Sequence, residues 1–361
     1  MDIVTKSVKV DVIVVGGGPA GVASVRTLTA GGARVALIEK TRFPRSKPCA
    51  GGLSAGAVRL LDYDFTTVVR EKVNELRLSY KDKKPVIIKA EEPIALMTKR
   101  AEFDSLGIEA ALSTECQYFV LPEISGIELR RDAVELIYPG LRIKGNYLVA
   151  ADGAGSTIRR LISGRPKGAF GVAIEADVDA NEVNTQEIRT KVDFGFSPGG
   201  YGWVFPKGDH YNVGLYSWNS RHSRFVNRPA LKQYAQISLG EVNLSDIRGF
   251  PIAISCSKKS MGSGRVLFVG DAGGFTYASS GEGIYGAILT GQLAAKSVLI
   301  GGDVVNNYRA TSSRYLRRCG LNRAFSRLIY PTLGVSYPLF AARLNSQAMR
   351  ASMSLVDSEK R

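Results

Sequence analysis

The stretch DVIVVGGGPAG, residues 11–21, decides the fold of this chain. Its first five residues are an apolar run of the kind found in buried parallel strands, and a glycine turn follows at once. Gly16 permits the tight turn, Gly18 lets the backbone approach a pyrophosphate, and Gly21 lets helix and strand pack closely. A helix to about residue 30 and a second strand over residues 34–38 complete a βαβ unit. The stretch therefore predicts a dinucleotide site at a helix N-terminus.

An acidic residue ends the second strand of this unit. Glu39 comes 23 residues after Gly16, where a carboxylate can accept hydrogen bonds from the ribose hydroxyls of an adenosine half. We also expect cofactor contacts from Ala20 in the first turn of the helix and from Lys40 beside the acid.

A second pair of glycine motifs decides which dinucleotide is bound. The segment GDAGG, residues 270–274, follows a buried strand, and GEGI, residues 281–284, opens a helix. Asp271 can bind hydroxyls of a ribityl chain, and the helix start at Gly283 and Ile284 can face a flavin ring that gains negative charge on reduction. Nicotinamide enzymes need no such second site, so the sequence predicts FAD.

A third motif follows the buried strand predicted over residues 146–151. Asp152-Gly153 is a turn, Ser156 is a helix cap, and Arg159 and Arg160 follow. We interpret the turn and cap as structural choices. The arginines are left open between a phosphate contact and a solvated surface.

Taken in this order, the three motifs resemble the glutathione-reductase-type flavoproteins, which include aromatic hydroxylases and flavin halogenases. Two further segments resemble the geranylgeranyl reductase family. One is the loop FPRSKPCAGGLS, residues 43–54, and the other is PGGYGWVFP, residues 198–206, a full match to that family's PxxYxWxFP motif. The resemblance runs from about residue 10 to about residue 330. It implies FAD-dependent saturation of isoprenoid double bonds in archaeal lipids, chlorophyll side chains or quinone tails.

The resemblance implies a set of site residues whose chemistry suits that reaction. Tyr201, Trp203, Phe205 and Pro206 would bind the apolar chain, and the aromatic faces can stabilise positive charge developing on carbon. Cys49 is the predicted catalytic residue, as a proton donor or as a group that tunes the flavin. The alternative for Cys49 is a small buried hydrophobe.

Three more cofactor contacts follow from the resemblance: Ala50, Gly52 and Arg100. The alternative for Arg100 is a solvated arginine at a helix start. The chain departs from the family pattern at two places. Ala50 follows the cysteine where glycine is common, and Tyr277-Ala278 stands where an Asp-Pro pair is often found.

Alternating segments interrupt the cofactor unit and predict an inserted antiparallel sheet with one buried face. They cover residues 74–80, 84–89, 169–178, 190–194 and 210–218. The predicted fold class is α/β, a glutathione-reductase-like Rossmann FAD-binding domain with an inserted antiparallel β-sheet substrate domain and a short C-terminal helical region. The FAD-binding domain would comprise residues 1–72, 96–165 and 256–302, and the substrate domain residues 73–95 and 166–255. The C-terminal helices would comprise residues 303–361, broken near Pro331 and Pro338.

Composition narrows the class of protein and its surroundings. With 361 residues, 45% hydrophobic and 22% charged, the chain is an ordinary globular protein rather than a disordered or collagen-like one. The four cysteines are dispersed and there are two histidines, so we expect neither a metal site nor a disulfide framework. No signal-peptide pattern opens the sequence. We expect a cytoplasmic, monomeric protein with no nucleic-acid partner.

The basic excess is concentrated near the C-terminus. The net charge is +15, and residues 301–361 hold ten Lys/Arg against three acids. The uncharged run 328–342 is too short and too rich in proline to span a bilayer. Together these features predict peripheral docking on the cytoplasmic face of a membrane, through five arginines: Arg314, Arg317, Arg318, Arg323 and Arg327. The alternative is that the same residues pack the C-terminal helices onto the cofactor domain.

The sequence leaves the electron donor and the exact chemistry open. NADPH, reduced ferredoxin and quinol-linked donors are all compatible with it, since it carries no second nucleotide motif. A flavin monooxygenase or halogenase of the same fold is the alternative enzyme. A binder that keeps FAD and lipid pockets without catalysis is the alternative outside enzymes.

Overall fold

The computed structural model describes residues 6–164, 170–183 and 190–343, with the backbone alone for residues 340–343. Parts of the predictions lie outside these residues. They are residues 1–5 and 165 of the predicted FAD-binding domain, residues 166–169 and 184–189 of the predicted substrate domain, with the first residue of the strand predicted over 169–178, and residues 344–361 of the C-terminal region.

Each alternating segment of the sequence corresponds to one strand of the described residues. In chain order they are β1 (Lys6–Val15), β2 (Val35–Glu39), β3 (Gly52–Ser54), β4 (Val69–Val73), β5 (Glu75–Tyr80), β6 (Lys83–Lys89), β7 (Ala95–Thr98), β8 (Gln117–Val120), β9 (Gly126–Leu129), β10 (Val134–Tyr138), β11 (Leu141–Ala150), β12 (Phe170–Asp179), β13 (Thr190–Phe194), β14 (Gly200–Pro206), β15 (His210–Ser217), β16 (Ser245–Ala253), β17 (Gly262–Ser263) and β18 (Val266–Phe268).

Helices occupy the positions that the glycine motifs predict, with further helices near the C-terminus. In chain order they are α1 (Pro19–Ala30), α2 (Ala55–Leu60), α3 (Arg100–Leu112), α4 (Thr157–Ser163), α5 (Arg228–Leu239), α6 (Gly270–Gly273), α7 (Ile284–Ile300), α8 (Val304–Thr311) and α9 (Ser313–Arg343). Short 3₁₀ turns cover Thr66–Val68, Ala180–Glu182, Ser220–Phe225 and Lys258–Ser260.

A parallel sheet forms the centre of the first unit. Its strands lie in the order β18-β11-β1-β2-β8, all parallel, and β17 and the β9–β10 hairpin extend it. Helices α1 and α7 cross closely on one face. Gly291 permits this close approach, because a Cβ there would overlap the carbonyl oxygen of Ala20. Ser24 Oγ donates to Gly291 O at 3.2 Å across this crossing. The crossing brings the starts of both helices to one edge of the sheet, where parallel strands end.

A seven-stranded sheet forms the second unit, in the order β16-β12-β15-β14-β13-β5-β6. The predicted inserted sheet is confirmed, but the sequence did not indicate that one of its strand pairs is parallel, that of β13 with β5. The reason is that period-two alternation reports which face is buried and carries no information on strand direction. The β5–β6 hairpin comes from much earlier in the chain and joins β13 after the chain has passed through the parallel sheet.

The two faces of the seven-stranded sheet differ in what covers them. One face packs apolar side chains such as Ile174, Val204 and Leu215 against Leu231 and Tyr234 of α5. The other face carries an aromatic cluster around Trp203 and Tyr216, with Ala50 packed against it. This second face is the one turned towards the cofactor unit, because Tyr216 OH donates to Ala278 O at 2.9 Å.

The predicted break near Pro331 and Pro338 was wrong, because α9 runs through both prolines. Each proline costs about 3 kcal/mol in a helix interior, and packing of the helix on the seven-stranded sheet offsets this cost. Tyr337 is 2% exposed, and its ring lies 5.9 Å from that of Tyr80. Tyr330 OH donates to Ser279 O at 2.5 Å. Among the described residues, no helix is both long and apolar enough to cross a bilayer.

Candidate active site

The glycine turn between β1 and α1 has the geometry that a pyrophosphate needs. Gly16 has φ of +106°, and a Cβ there would overlap the backbone of Ala151. A Cβ at Gly21 would overlap Gly16 O. Gly18 differs, because the nearest atom to an added Cβ is Arg45 Nη2, at 3.6 Å. Nothing in the protein thus requires a glycine at Gly18, and the open side of its backbone is the place where a phosphate can approach.

Two basic residues of the loop 43–49 flank this turn. Arg45 Nη2 pairs with the buried Asp104 at 3.3 Å, and its guanidinium lies 4.9 Å from the centre of the Phe43 ring. Its Nε is buried and has no hydrogen-bond partner. Lys47 Nζ approaches Gly153 of the next strand end, 4.0 Å from where a Cβ would stand. A cation with an unused donor beside an open glycine turn fits a dinucleotide's phosphates.

Glu39 lies against the same turn and is 5% exposed. Its Oε2 accepts from Gly17 N at 2.7 Å, and its Oε1 accepts from Lys40 N at 2.9 Å. The backbone of Lys40 thus holds this carboxylate, whereas the Lys40 side chain is exposed. The carboxylate stands at the end of β2, and a contact with a ribose remains a prediction.

The second motif lies beside the first. Gly270 has φ of +53°, and a Cβ there would stand 3.1 Å from Ala20 Cβ in α1. Asp271 Oδ1 accepts from Thr276 Oγ1 at 2.8 Å. Gly283 is the N-cap of α7 and Ile284 is its first residue. The free N–H groups of α1 and α7 therefore point from one edge of the sheet, as a two-ended flavin dinucleotide requires.

The third motif is structural in the way the sequence suggests. Ser156 caps α4 by accepting from Arg159 N at 3.0 Å. Asp152 Oδ2 accepts from Thr157 N at 2.7 Å, and burial raises the pKa of this carboxyl. Arg159 Nη1 donates to Ala272 O at 2.9 Å, which ties α4 to the second flavin motif. Arg160 is exposed.

The loop around Cys49 joins the cofactor unit to the seven-stranded sheet. Cys49 N donates to Glu175 Oε1 at 2.9 Å, and Cys49 Sγ accepts from Gly51 N at 3.3 Å. Gly51 has φ of +69°, and a Cβ there would overlap both Lys207 Nζ and Thr98 O. Gly52 begins β3 directly after this turn. Only glycine fits at Gly51, so the turn fixes the position of the thiol.

Arg100 begins α3 beneath this loop and is largely buried. Its Nε and Nη2 donate to the two oxygens of Asp104, each at 2.9 Å. Burial opposes the charged form of Arg100, but the interactions with Asp104 and Cys49 outweigh it and raise the pKa of Arg100. Arg100 is thus an ion-paired side chain beside the thiol, rather than the solvated arginine of the alternative.

The aromatic residues of the PxxYxWxFP motif form a row along β14. Trp203 is 4% exposed and its Nε1 donates to Asn212 Oδ1 at 2.8 Å. The indole lies over Gly214, where a Cβ would overlap it. Tyr201 OH donates to Ser280 O, directly before Gly281 of the second flavin motif. Phe205 and Pro206 continue the row and are half-buried, so the motif lines the face next to the Cys49 loop.

Two functional candidates escaped the sequence reasoning: Glu175 and Lys207. Both are almost fully buried, at 1% and 3% exposure, and both lie under the Cys49 loop. Burial raises the pKa of Glu175 to about 7 and lowers the pKa of Lys207 to about 8. Lys207 directly follows the PxxYxWxFP motif, which was an available signal. Glu175 lies within an alternating strand, and its contact with residue 49 is visible only in three dimensions.

Comparison with known protein sequences agrees with this geometry. A family model described as an FAD binding domain matches residues 9–65. An uncharacterized protein of Methanosarcina barkeri is 29% identical over 96% of this chain and 90% of its own length. The chloroplastic geranylgeranyl diphosphate reductase of Oryza sativa is 27% identical, over 94% and 76%. The menaquinone reductase of Mycobacterium tuberculosis is 26% identical, over 97% and 92%.

Solved structures show the same fold. A geranylgeranyl bacteriochlorophyll reductase-like protein of Thermoplasma acidophilum has a TM-score of 0.80 and 22% identity, covering 91% of this chain and 90% of its own. The flavin-dependent halogenase CmlS has a TM-score of 0.69 and 21% identity, covering 86% and 62%. The chain is therefore a flavoprotein, an FAD-dependent oxidoreductase. The resemblance to the geranylgeranyl reductases that its motifs indicate is confirmed by these relatives. The roles of individual site residues stay predictions, as do the domain boundaries.

The glycine turn gives a direct test of the phosphate site. We expect Gly18→Ala to weaken FAD binding by about tenfold or more, because the added Cβ occupies the side from which a phosphate approaches. The thermal midpoint of the flavin-free protein should stay within about 2 °C of the wild type, since the Cβ meets no close protein atom. Flavin titration and thermal unfolding measure the two quantities.

Gly21→Ala is the matched control for this variant. Its Cβ would overlap Gly16 O, so we expect the fold itself to lose about 1–3 kcal/mol. Unchanged FAD affinity in Gly18→Ala would show that the pyrophosphate lies elsewhere.

Proposed function

We propose that this protein saturates carbon–carbon double bonds of an isoprenoid chain of geranylgeranyl type, carried by a lipid, a quinone or a pigment. The observation that carries the proposal is the contact between the Cys49–Ala50 turn and the aromatic face around Trp203. A monooxygenase needs no thiol at that position. The names of the relatives, which include geranylgeranyl and menaquinone reductases, support a prenylated substrate.

The residues of the chain can bind and orient an apolar alkene. When bound, reduced FAD supplies a hydride. An isolated alkene accepts a hydride poorly unless positive charge on the neighbouring carbon is stabilised and a proton is delivered to it. The rings of Tyr201, Trp203 and Phe205 offer their faces to such charge, and they exclude water from the chain they contact.

Cys49 is the proton donor in this proposal. Its sulfur accepts a hydrogen bond from Gly51 N and interacts with Arg100, which stays charged. After proton transfer the sulfur would therefore lie against a backbone N–H and a fixed cation. The electron donor is proposed to be NADPH or reduced ferredoxin, with a quinol-linked donor as the third choice.

A single-turnover assay tests the reaction and the role of Cys49 together. Enzyme reduced with dithionite under argon is mixed with geranylgeranyl diphosphate, and products are weighed by mass spectrometry. The wild type should add two hydrogens per double bond. Cys49→Ala should bind FAD normally but slow product formation about 10²-fold or more, because no proton reaches carbon. Cys49→Ser should recover part of the rate.

Cys116→Ala is the matched control, since Cys116 is a half-buried cysteine that lies outside the site. It should leave the rate unchanged. A wild-type enzyme that adds oxygen or halogen in air, and no hydrogens under argon, would establish the monooxygenase or halogenase alternative. Equal rates for Cys49→Ala and wild type would reduce Cys49 to a packing residue.

We also propose that α9 docks the protein on an anionic membrane surface, where prenyl chains reside. Four apolar residues of α9 are strongly exposed: Leu321 at 71%, Leu328 at 71%, Val335 at 91% and Leu339 at 78%. Their spacing of seven, seven and four residues puts them on one helix face. Arg314, Arg317 and Arg327 are exposed on the same helix, and each cation near the surface contributes about 1 kcal/mol.

This proposal assigns fewer arginines to the membrane surface than the sequence prediction does. Arg323 Nη2 donates to Cys256 O at 3.2 Å, and both Arg318 and Arg323 are half-buried. These two belong to the packing of α9 on the cofactor unit, as the alternative reading held. We propose that the apolar stripe, with the exposed Arg317 and Arg327, faces the membrane.

Vesicle co-sedimentation tests the docking surface. The double variant Leu328→Glu/Val335→Glu should bind phosphatidylglycerol vesicles at least about tenfold more weakly, because two apolar side chains no longer enter the interface. Ile300→Glu is the control, as Ile300 is 70% exposed on α7. High salt should also weaken wild-type binding. Equal recovery of both variants, or binding indifferent to lipid charge and salt, would contradict the proposal.

A further inference from the structure

A buried carboxyl group lies beneath the proposed proton donor and has no assigned task. Glu175 comes from the middle of β12, and its side chain is turned towards the Cys49 loop. Its Oε1 accepts from Cys49 N at 2.9 Å. Its Oε2 is buried and has no hydrogen-bond partner. A carboxylate would leave that oxygen without compensation in a dry environment, whereas a carboxylic acid can carry its proton there.

The sheet register shows which face of the seven-stranded sheet carries Glu175. Glu175 is opposite Gly214 of β15, and Gly214 is opposite Trp203 of β14. Residues directly opposite in antiparallel strands share a face. Glu175 therefore stands on the aromatic face, on the second strand over from Trp203.

Charged groups surround Glu175 from each element packed against it. Lys207 comes from the end of β14, and its Nζ donates to Thr98 O at 2.7 Å. Arg248 comes from β16 with its Nη2 at 4.0 Å from Glu175 Oε1. Asp177 follows on β12, and Cys49 faces the carboxyl from the loop. The burial of Glu175 raises its pKa to about 7, against the opposing effects of the Cys49 N–H, Arg248 and Lys207.

A row of polar groups leads from Glu175 towards solvent. Arg248 Nη2 pairs with Asp177 Oδ2 at 3.0 Å. Asp177 Oδ1 stands 3.8 Å from His210 Nε2, and His210 Nδ1 is 2.7 Å from Asp209 Oδ1. The Asp209 side chain is 69% exposed. The row thus links the buried acid, through Arg248, to a surface carboxylate, and it marks the side of Glu175 that leads to solvent.

We propose that Glu175 returns a proton to the sulfur of Cys49 after each alkene reduction. The inference rests on the proposed function. In each cycle the S–H bond of Cys49 breaks as a C–H bond forms at the alkene carbon that receives no hydride. The O–H bond of Glu175 then breaks as the S–H bond forms again. The resulting carboxylate takes a proton from water, so protons balance at one per double bond.

This arrangement sets the sign of the pH dependence. The protonated fraction of Glu175 falls as the pH rises through about 7. Proton transfer from Glu175 to Cys49 should therefore slow above that pH, and the wild-type steady-state rate should fall with it. The first turnover uses the proton already on Cys49, so its rate should not fall above that pH.

Glu175→Gln tests the proposal, because an amide oxygen can still accept from Cys49 N but an amide cannot supply the proton. With excess dithionite and geranylgeranyl diphosphate, the variant should release its first equivalent of product at the wild-type rate. Later turnovers should be about 10²-fold slower. Asp179→Asn, at the exposed end of the same strand, is the matched control and should behave as wild type.

Infrared spectroscopy of the FAD-loaded protein gives a readout that needs no turnover. A pH titration of wild type and Asp179→Asn should show a buried carboxylic C=O band lost through about pH 7, and Glu175→Gln should lack that band. An unchanged band in Glu175→Gln would overturn the proposal, as would slowing of its first turnover equal to that of later ones. If the wild type reduces no alkene, the proposed function fails, and the infrared band still decides whether Glu175 holds a proton.

Discussion

The turn Cys49–Gly52 is the contact on which the rest of the site depends. Its first residue is held from the seven-stranded sheet by the bond from Cys49 N to Glu175. Its third residue is held from a three-stranded sheet of β3, β7 and β4. Thr98 of β7 donates to Gly51 O through both its N and its Oγ1, at 2.9 and 3.0 Å. Lys207 completes the clamp by donating to Thr98 O. The thiol is thus fixed between a cofactor-binding unit and an apolar face that fold from different parts of the chain.

That junction explains why buried charge is tolerated here. An isolated buried cation or carboxyl group is costly. Lys207 lies close enough to Glu175, Arg100 and Cys49 to interact with their charges. The shifted pKa values of Glu175 and Lys207, about 7 and about 8, bring both groups within reach of proton exchange at neutral pH. Perturbed groups that cluster at a junction are a common mark of a functional site, and here they surround the thiol of Cys49, whose neighbour Ala50 packs on the aromatic face.

The sequence predicted the local parts of this structure well. The turn at Gly16, Gly18 and Gly21 has the backbone form that its glycines indicate, and Ser156 is the cap that its spacing predicts, because such features depend only on neighbouring residues. Strand direction and helix continuity were less predictable. The parallel pairing of β13 with β5 and the passage of α9 through Pro331 depend on contacts between distant segments. Glu175 escaped for the same reason, since its partner lies 126 residues away.

The central claim is that the thiol, the aromatic row and the flavin act together to reduce prenyl chains. Mass spectrometry of the host's lipids, quinones and pigments, with and without the gene, tests it most directly. The account predicts that loss of the gene leaves one class of prenyl compound lighter by two hydrogens for every double bond no longer reduced, and that the wild-type gene restores the mass while a Cys49→Ala copy does not. Identical prenyl masses in both strains, or a difference of oxygen or halogen atoms instead of hydrogens, would contradict it.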